Sequence, residues 1–486
     1  MINVSRLPLG SLTRGTSTTT THILRRQISI MATARTIQIT PENTGLWHLK
    51  QSEAAAKKTT ELLQEDLEKH HCFFNKEGYH NHISHQLLSL YGIGASPADI
   101  QQGYDDNANY QRTPYQAHPD KVKELKDFEK AKEKLGKEEY YTDFLAFYQN
   151  EIDEKGWQEV LKEHLFKGDE RSEDMLIRMF AGFLHPIIQL MYGIEWQQPA
   201  IVAMGLAQAA VHEDNMRTFL LAAEAAAAAP SAPSRMGEIA SLFLDVAANE
   251  KLATSARLSD GNKVRDGVLA RAFDEAVRVS ARVRVDPEEL EARTVEMYNT
   301  AVYQATGAAL RPGKEARYDF FLMHHVNVCP LFIAINAQDW IPTASKVRLL
   351  EWKIRFDLLQ YAARACAPVS LEKITSYVPK DKTQKPTAEL LPRIYALHDD
   401  GHVSKLVRAV GLCEAVSKKY SDKDWLKIKG DALWTKINQI VVDSAEGDGP
   451  RWVRGAGDTE AWTAVPDRKE DSDGRLATAI NGLSVN

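Results

Sequence analysis

Residues 348–365 read RLLEWKIRFDLLQYAARA. Leu349, Leu350, Trp352, Ile354, Phe356, Leu358 and Leu359 recur at helical spacing but face nearly every side of the helix. A helix on a protein surface keeps one apolar stripe, so a helix that is apolar nearly all round must lie inside a body of other helices. The pattern continues in both directions, with periodic apolar segments at 52–71, 81–93, 139–166, 172–193, 199–228, 236–256, 264–281, 288–309, 316–336, 343–366, 387–397, 402–420 and 423–443. Ser52 is a fair N-cap, and Ser96-Pro97-Ala98-Asp99 supplies the cap, proline and acid of a helix start. The alternating pattern of strands is nearly absent. The expected fold class is therefore all-α: a large single helical domain packed around a buried histidine-lined site. No signature recurs with a period of roughly 20 to 50 residues, which argues against a solenoid.

Three parts are expected along the chain: an N-terminal extension at 1–44, an all-helical catalytic domain at 45–443 and a poorly packed C-terminal tail at 444–486. Residues 1–40 carry five arginines and no acid among many Ser and Thr, the composition of an organelle transit peptide. The alternative is translation from Met31. DDNANYQRTPYQAHPDK (105–121) reads as an ordered loop, and AAAAAPSAPS (225–234) as a surface link.

A net charge of -6 over 486 residues, with no basic block, excludes the electrostatic footprint of a nucleic-acid binder. The four cysteines, Cys72, Cys329, Cys366 and Cys413, form no CxxC pair, which argues against a disulfide framework or a thiolate zinc site and for a cytoplasmic protein. No run is long and apolar enough to span a membrane. GxGxxG, GxxxxGK[ST], GxSxG and HExxH are all missing, so no nucleotide fold, P-loop, nucleophile elbow or zincin site is visible. Three His-x-Asp triplets, His118/Asp120, His212/Asp214 and His398/Asp400, are no more than chance supplies.

The histidines in apolar surroundings carry more. YHNHISHQLL (79–88) puts His82 and His85 three residues apart at the start of an apolar helix, GFLHPIIQLMYG (182–193) embeds His185 in core residues, and FFLMHHVN (320–327) does the same for His324 and His325. A single buried histidine is usually a satisfied core residue, but convergent imidazoles from three helices can form a metal cage, since imidazole suits Fe, Zn and Cu. Lys353 reads first as the partner of Asp357 at i, i+4. In DDGHVSKLVRAV (399–410), Asp399 or Asp400 can cap a helix whose first turn brings His402 and Lys405 to one side.

At these blocks the sequence resembles the questin oxidase-like family, fungal enzymes that oxidatively open anthraquinone rings. The likeness lies in YHNHISHQLLSLYGIGASP (79–97), YDDNANYQR (104–112), GFLHPIIQLMYGIEW (182–196), FFLMHHVN (320–327), LLEWKIRFDLLQYAARA (349–365) and DDGHVSKLVRA (399–409). It implies dioxygen-dependent cleavage of a quinone carbon–carbon bond, formally of Baeyer–Villiger type, with NADPH as a reductant and a separate reductase as a partner to be tested. It also implies a non-haem Fe(II) held by histidines and a carboxylated lysine. The ligands expected from this are His82 or His85, His185, His324 and His402, with Lys405 or Lys353 as the modified lysine. His325 or His212 is the expected general base for a phenol proton, and Tyr91, Tyr110, Tyr192 and Trp196 are expected to line the pocket for a small aromatic polyketide. Two rival readings stand: a metal-free, NADPH-dependent Baeyer–Villiger monooxygenase, and a helical small-molecule carrier whose histidines are core residues.

Overall fold

Ser52 accepts a hydrogen bond from Ala55 N–H and opens the Glu53–Lys69 helix, and Ser96 and Asp99 close a reciprocal capping box that starts Pro97–Ala108. These starts are repeated along a computed structural model that describes residues 31–468, apart from 232, 234, 382 and 384. From Ala32 to Arg468 the described residues form one body built from 22 α-helices, with three isolated β-bridges and no strand. The all-α reading holds. No single helix among the described residues is long and apolar enough to cross a bilayer.

The Thr343–Ala362 helix is buried along its length from Leu349 to Ala362, aside from a half-buried Glu351, as its all-round apolar pattern requires. Four other segments position the site. Ile83–Gly92 packs against both His185–Glu195 and Val403–Ser417, and Phe320–Asn327 packs against Val403–Ser417 and the Gly182–Leu184 turn. Their histidines are therefore brought together although they are separated by up to 320 residues of chain.

The apolar pattern at 172–193 is not one helix. Glu170–Arg178 and Gly182–Glu195 bend by 71°, because Gly182, Phe183 and Leu184 all adopt positive φ, at 50°, 54° and 70°. Left-handed backbone costs a non-glycine residue roughly 1–2 kcal/mol, and such strain persists only where surrounding packing enforces it. Here it leaves His185 at the first position of the second helix and turns Phe183 outward, 37% exposed.

Two boundaries differ from expectation. Ala34, Ile37 and Ile39 are buried, and Ile37 N–H and Gln38 N–H donate to the side chains of Gln64 and Gln198, so the body begins before residue 45. Past 443 the chain is packed to the end of the described residues: Val453, Trp462 and Val465 are each 1% exposed. Asp319 accepts from the N–H groups of Gly455 and Ala456, and Phe320 N–H donates to the Val453 carbonyl. Apolar residues too sparse to show a period are held there by backbone hydrogen bonds. The 105–121 stretch is helical at both ends, in Pro97–Ala108 and Pro119–Glu124. Residues 1–30 of the 1–40 stretch expected to be a transit peptide, and residues 469–486, lie outside the described residues.

Candidate metal centre

His82 precedes its helix as the N-cap residue, and its Nδ1–H donates to the Asp400 carbonyl at 2.9 Å. His185 Nδ1–H donates to the Gly182 carbonyl at 2.7 Å, a bond made inside the strained turn. His324 Nδ1–H donates one turn back to the Phe320 carbonyl. His402 Nδ1–H donates to the Asp400 carboxylate at 2.7 Å. Each acceptor is an oxygen with no hydrogen of its own, so each neutral ring carries its proton on Nδ1 and a lone pair on Nε2.

These lone pairs converge. Donor atoms of His82, His185 and His402 lie within 4.8 Å of one another, and the Nε2 atoms of His82 and His185 are 2.9 Å apart. Two lone pairs at that distance repel unless something positive sits between them. The His324 ring centroid is 5.0 Å from those of both His185 and His402, and the buried Nε2 atoms of His324 and His402 have no hydrogen-bond partner. Idle buried acceptors cost roughly 1–3 kcal/mol each, so this donor set suits a cation that takes imidazole nitrogen. All four rings are buried, and burial pushes their pKa values below the usual 6.5, well below for His82, His185 and His324, which keeps them neutral.

Gly401 lets the His402 loop approach. Its φ is 86°, and a Cβ there would meet the His82 and Gln86 Cβ atoms at 3.0 and 3.2 Å. Lys405, one turn along the same helix, is 2% exposed with no hydrogen-bond partner for Nζ. Burial lowers its pKa to about 8 against the opposing pull of Asp400 and Asp399. Its charge in turn depresses all six nearby imidazoles, His80, His82, His85, His185, His324 and His402. The other lysine is engaged elsewhere: Lys353 Nζ pairs with both oxygens of Asp357, which also accepts from His325 Nδ1.

Of the pair His82 and His85, His82 faces the other rings. His85 lies parallel to Tyr192 with centroids 5.3 Å apart, and is 5.9 and 6.4 Å from His82 and His185. His80, absent from the expected ligands, stacks on His185 at 3.8 Å and meets His212 Nε2 at 2.8 Å through its own Nε2. His212 Nδ1–H donates to the Gln208 carbonyl, so its Nε2 accepts from His80. The only signal for His80 in the sequence was the density of histidines in HNHISH.

The aromatic residues expected around a substrate are placed differently. Tyr91 is buried, with its hydroxyl donating to the Thr40 carbonyl and its ring edge-on to Trp196 at 5.5 Å. Tyr192 shares a hydrogen bond with Ser89, and Tyr110 is 39% exposed on the surface and donates to Asn107. None of the four lines either of the two larger described cavities. Those cavities, about 240 and 70 Å³, share Phe183, Asn262 and Val264, and the larger is also walled by Phe321. Gly182 lines the smaller one, and a Cβ there would strike His212 Nε2 and His80 Nε2 at 2.3 and 3.0 Å, so this glycine lies between the cavity lining and that pair in close contact with both rings.

A family model described as questin oxidase-like matches residues 79–410, which hold every histidine of the cluster. Among curated proteins, a questin oxidase of Aspergillus terreus is 36% identical over 444 residues, covering 90% of this chain and 98% of that protein. A questin oxidase of Aspergillus fumigatus is 35% identical over 448 residues, covering 90% of this chain and all of its own length. A Baeyer-Villiger oxidase of Pestalotiopsis fici is 35% identical over 443 residues, with 90% and 99% covered. With the match running through the whole imidazole cluster and nearly the full length of these relatives, the chain belongs to the questin oxidase-like family and is an oxidoreductase.

Proposed function

We propose that this oxidoreductase uses dioxygen to cleave a ring carbon–carbon bond of a hydroxylated anthraquinone-type polyketide, with non-haem Fe(II) held by His82, His185, His324 and His402 and by Lys405 as its carbamate. One observation carries the reading: four imidazoles from separated segments each donate Nδ1–H to an oxygen, three of them bring donor atoms within 4.8 Å of one another, and the fourth, His324, stands with its ring 5.0 Å from those of His185 and His402. The names of the relatives, questin oxidase and Baeyer-Villiger oxidase, support the substrate class and the reaction type.

Bound Fe(II) would supply the reduced centre at which dioxygen is activated. The protein's own groups do the rest. Asp400 orients two ligands at once, His402 through its carboxylate and His82 through its carbonyl. Four neutral imidazoles leave a dication uncompensated, and Lys405, buried without a partner, would gain an anionic oxygen donor as a carbamate. Phe183 and Phe321, 4.8 Å apart between centroids, offer aromatic walls to a flat substrate. Of the two candidate bases for the phenol proton, His325 is tied to Asp357, and His212 Nε2 already accepts from His80, so a proton bound for His212 would be relayed through the His80 ring. NADPH, directly or through a separate reductase, is the reductant in this scheme.

The test is elemental analysis of protein purified without added metal, combined with turnover of a hydroxyanthraquinone under oxygen. Stoichiometric iron is expected, and His82→Ala and His185→Ala should fold, release iron and lose turnover. Full turnover by iron-free protein would overturn the reading in favour of acid–base catalysis with NADPH.

A further inference from the structure

We propose that the cavity bounded by Phe183, Phe321 and Arg364 is a subsite for the anionic edge of a flat polycyclic arene, with the Arg364 guanidinium receiving a carboxylate or ionised phenol. The ring system rests on the function proposed above, whereas the anion subsite rests on the following geometry.

Arg364 is 2% exposed, yet its Nε and Nη1 are buried without any hydrogen-bond partner, and it forms no ion pair among the described residues. Its guanidinium lies 4.2 Å from the centroid of the Phe321 ring, on the wall of the 240 Å³ cavity. The acid whose charge it feels, Asp319, is already occupied: one oxygen accepts from Phe321 and Leu322 N–H, the other from Gly455 and Ala456 N–H. A guanidinium carries five donors in a planar fork, so one buried with idle donors beside an open space fits a planar anion that arrives from outside.

The rest of the lining agrees in sign. Lys263 and Arg454 also border the cavity, and the one carboxylate there, Asp260, is clamped by Arg271 through two bonds of 2.8 Å. The cavity is thus cationic and aromatic together. Phe183, at φ 54°, borders it from the same strained turn in which His185 Nδ1–H donates to the Gly182 carbonyl. A ligand held by Arg364 at one edge would lie along Phe183 and Phe321 toward the turn carrying His185.

The experiment is equilibrium binding to the full-chain, metal-free protein, read by tryptophan fluorescence at fixed salt. The probes are anthraquinone-2-carboxylate, 2-hydroxyanthraquinone above its phenol pKa, and 2-methylanthraquinone. At least one anionic probe should bind about tenfold or more tightly than the methyl probe, and the tighter of the two identifies the acid recognised. Arg364→Gln should abolish the preference, and Arg454→Gln should weaken it less. Because it removes an unpartnered buried charge, Arg364→Met should melt at or above the wild-type temperature, whereas a merely structural arginine would lower it. Equal affinity for all three probes in the wild type, or a preference untouched by Arg364→Gln, overturns the proposal. Should Arg364→Gln fail to fold, Arg364→Met carries the same test, and an anion preference that survives it overturns the proposal instead. Anion-selective binding by the metal-free protein, together with no cleavage of a hydroxyanthraquinone by the iron-loaded protein under oxygen, would refute the proposed reaction and leave the subsite standing.

Discussion

Asp400 touches two of the four imidazoles by different groups, which makes it possible to perturb one and spare the other. His82 is oriented by the Asp400 backbone carbonyl, which no side-chain change removes, whereas His402 depends on the carboxylate at 2.7 Å. A hydrogen bond to a charged acceptor contributes roughly 1.5–3 kcal/mol, about twice a neutral one. Asp400→Asn keeps a neutral acceptor and should weaken metal binding about tenfold, while Asp400→Ala removes the acceptor and should weaken it up to about a hundredfold, the usual span for groups that orient metal ligands. The carboxylate is 55% exposed, so both metal-free variants should melt close to wild type. The assay is iron retention against a graded chelator, with thermal melts of the metal-free proteins beside it. The ordering wild type, Asn, Ala with unchanged melts supports the orienting role. Alanine retaining iron as firmly as wild type, or a melt that falls in step with affinity, would refute the reasoning.

Other outcomes follow from the same geometry. Gly401→Ala must place a Cβ at φ 86° within 3.0 Å of His82 Cβ, so it should lose about 1–2 kcal/mol of stability and displace His402, lowering both the melting temperature and iron content; wild-type values for both would count against it. Lys353→Met strands the Asp357 carboxylate with His325 and should cost about 3–5 kcal/mol in urea titration, while Lys353→Met/Asp357→Leu should recover much of that; equal loss in the single and double variants would show the pair is not the cause. The buried imidazoles have folded-state pKa values below 6.5, so the unfolded chain binds more protons as pH falls through 6.5. Stability of the metal-free protein should therefore be fully present above about pH 6.5 and fall below it, by on the order of 1.4 kcal/mol per pH unit for each imidazole that titrates; a flat urea midpoint from pH 7 to 5 would contradict this.

The sequence by itself determined the helices and which segments carry imidazole. Ser52 and the Ser96–Asp99 box mark helix starts through local hydrogen bonds, and an all-round apolar pattern such as 349–362 can be satisfied only by burial. Such signals are local and survive in one dimension. The bend at Gly182–Leu184 did not show, because its positive φ angles are imposed by packing on residues that do not themselves prefer them. The Lys353–Asp357 pair, read from its i, i+4 spacing, is present, but only the tertiary structure decided that His82 rather than His85 faces His185 and His402, that His80 meets His212, and that Lys405 stays unpaired. It likewise put Phe183 and Phe321, not Tyr91 or Trp196, on a cavity. Spacing along a helix fixes which way a side chain points from its own axis, but not what stands opposite, and the chemistry of this site lies in what several helices place opposite one another.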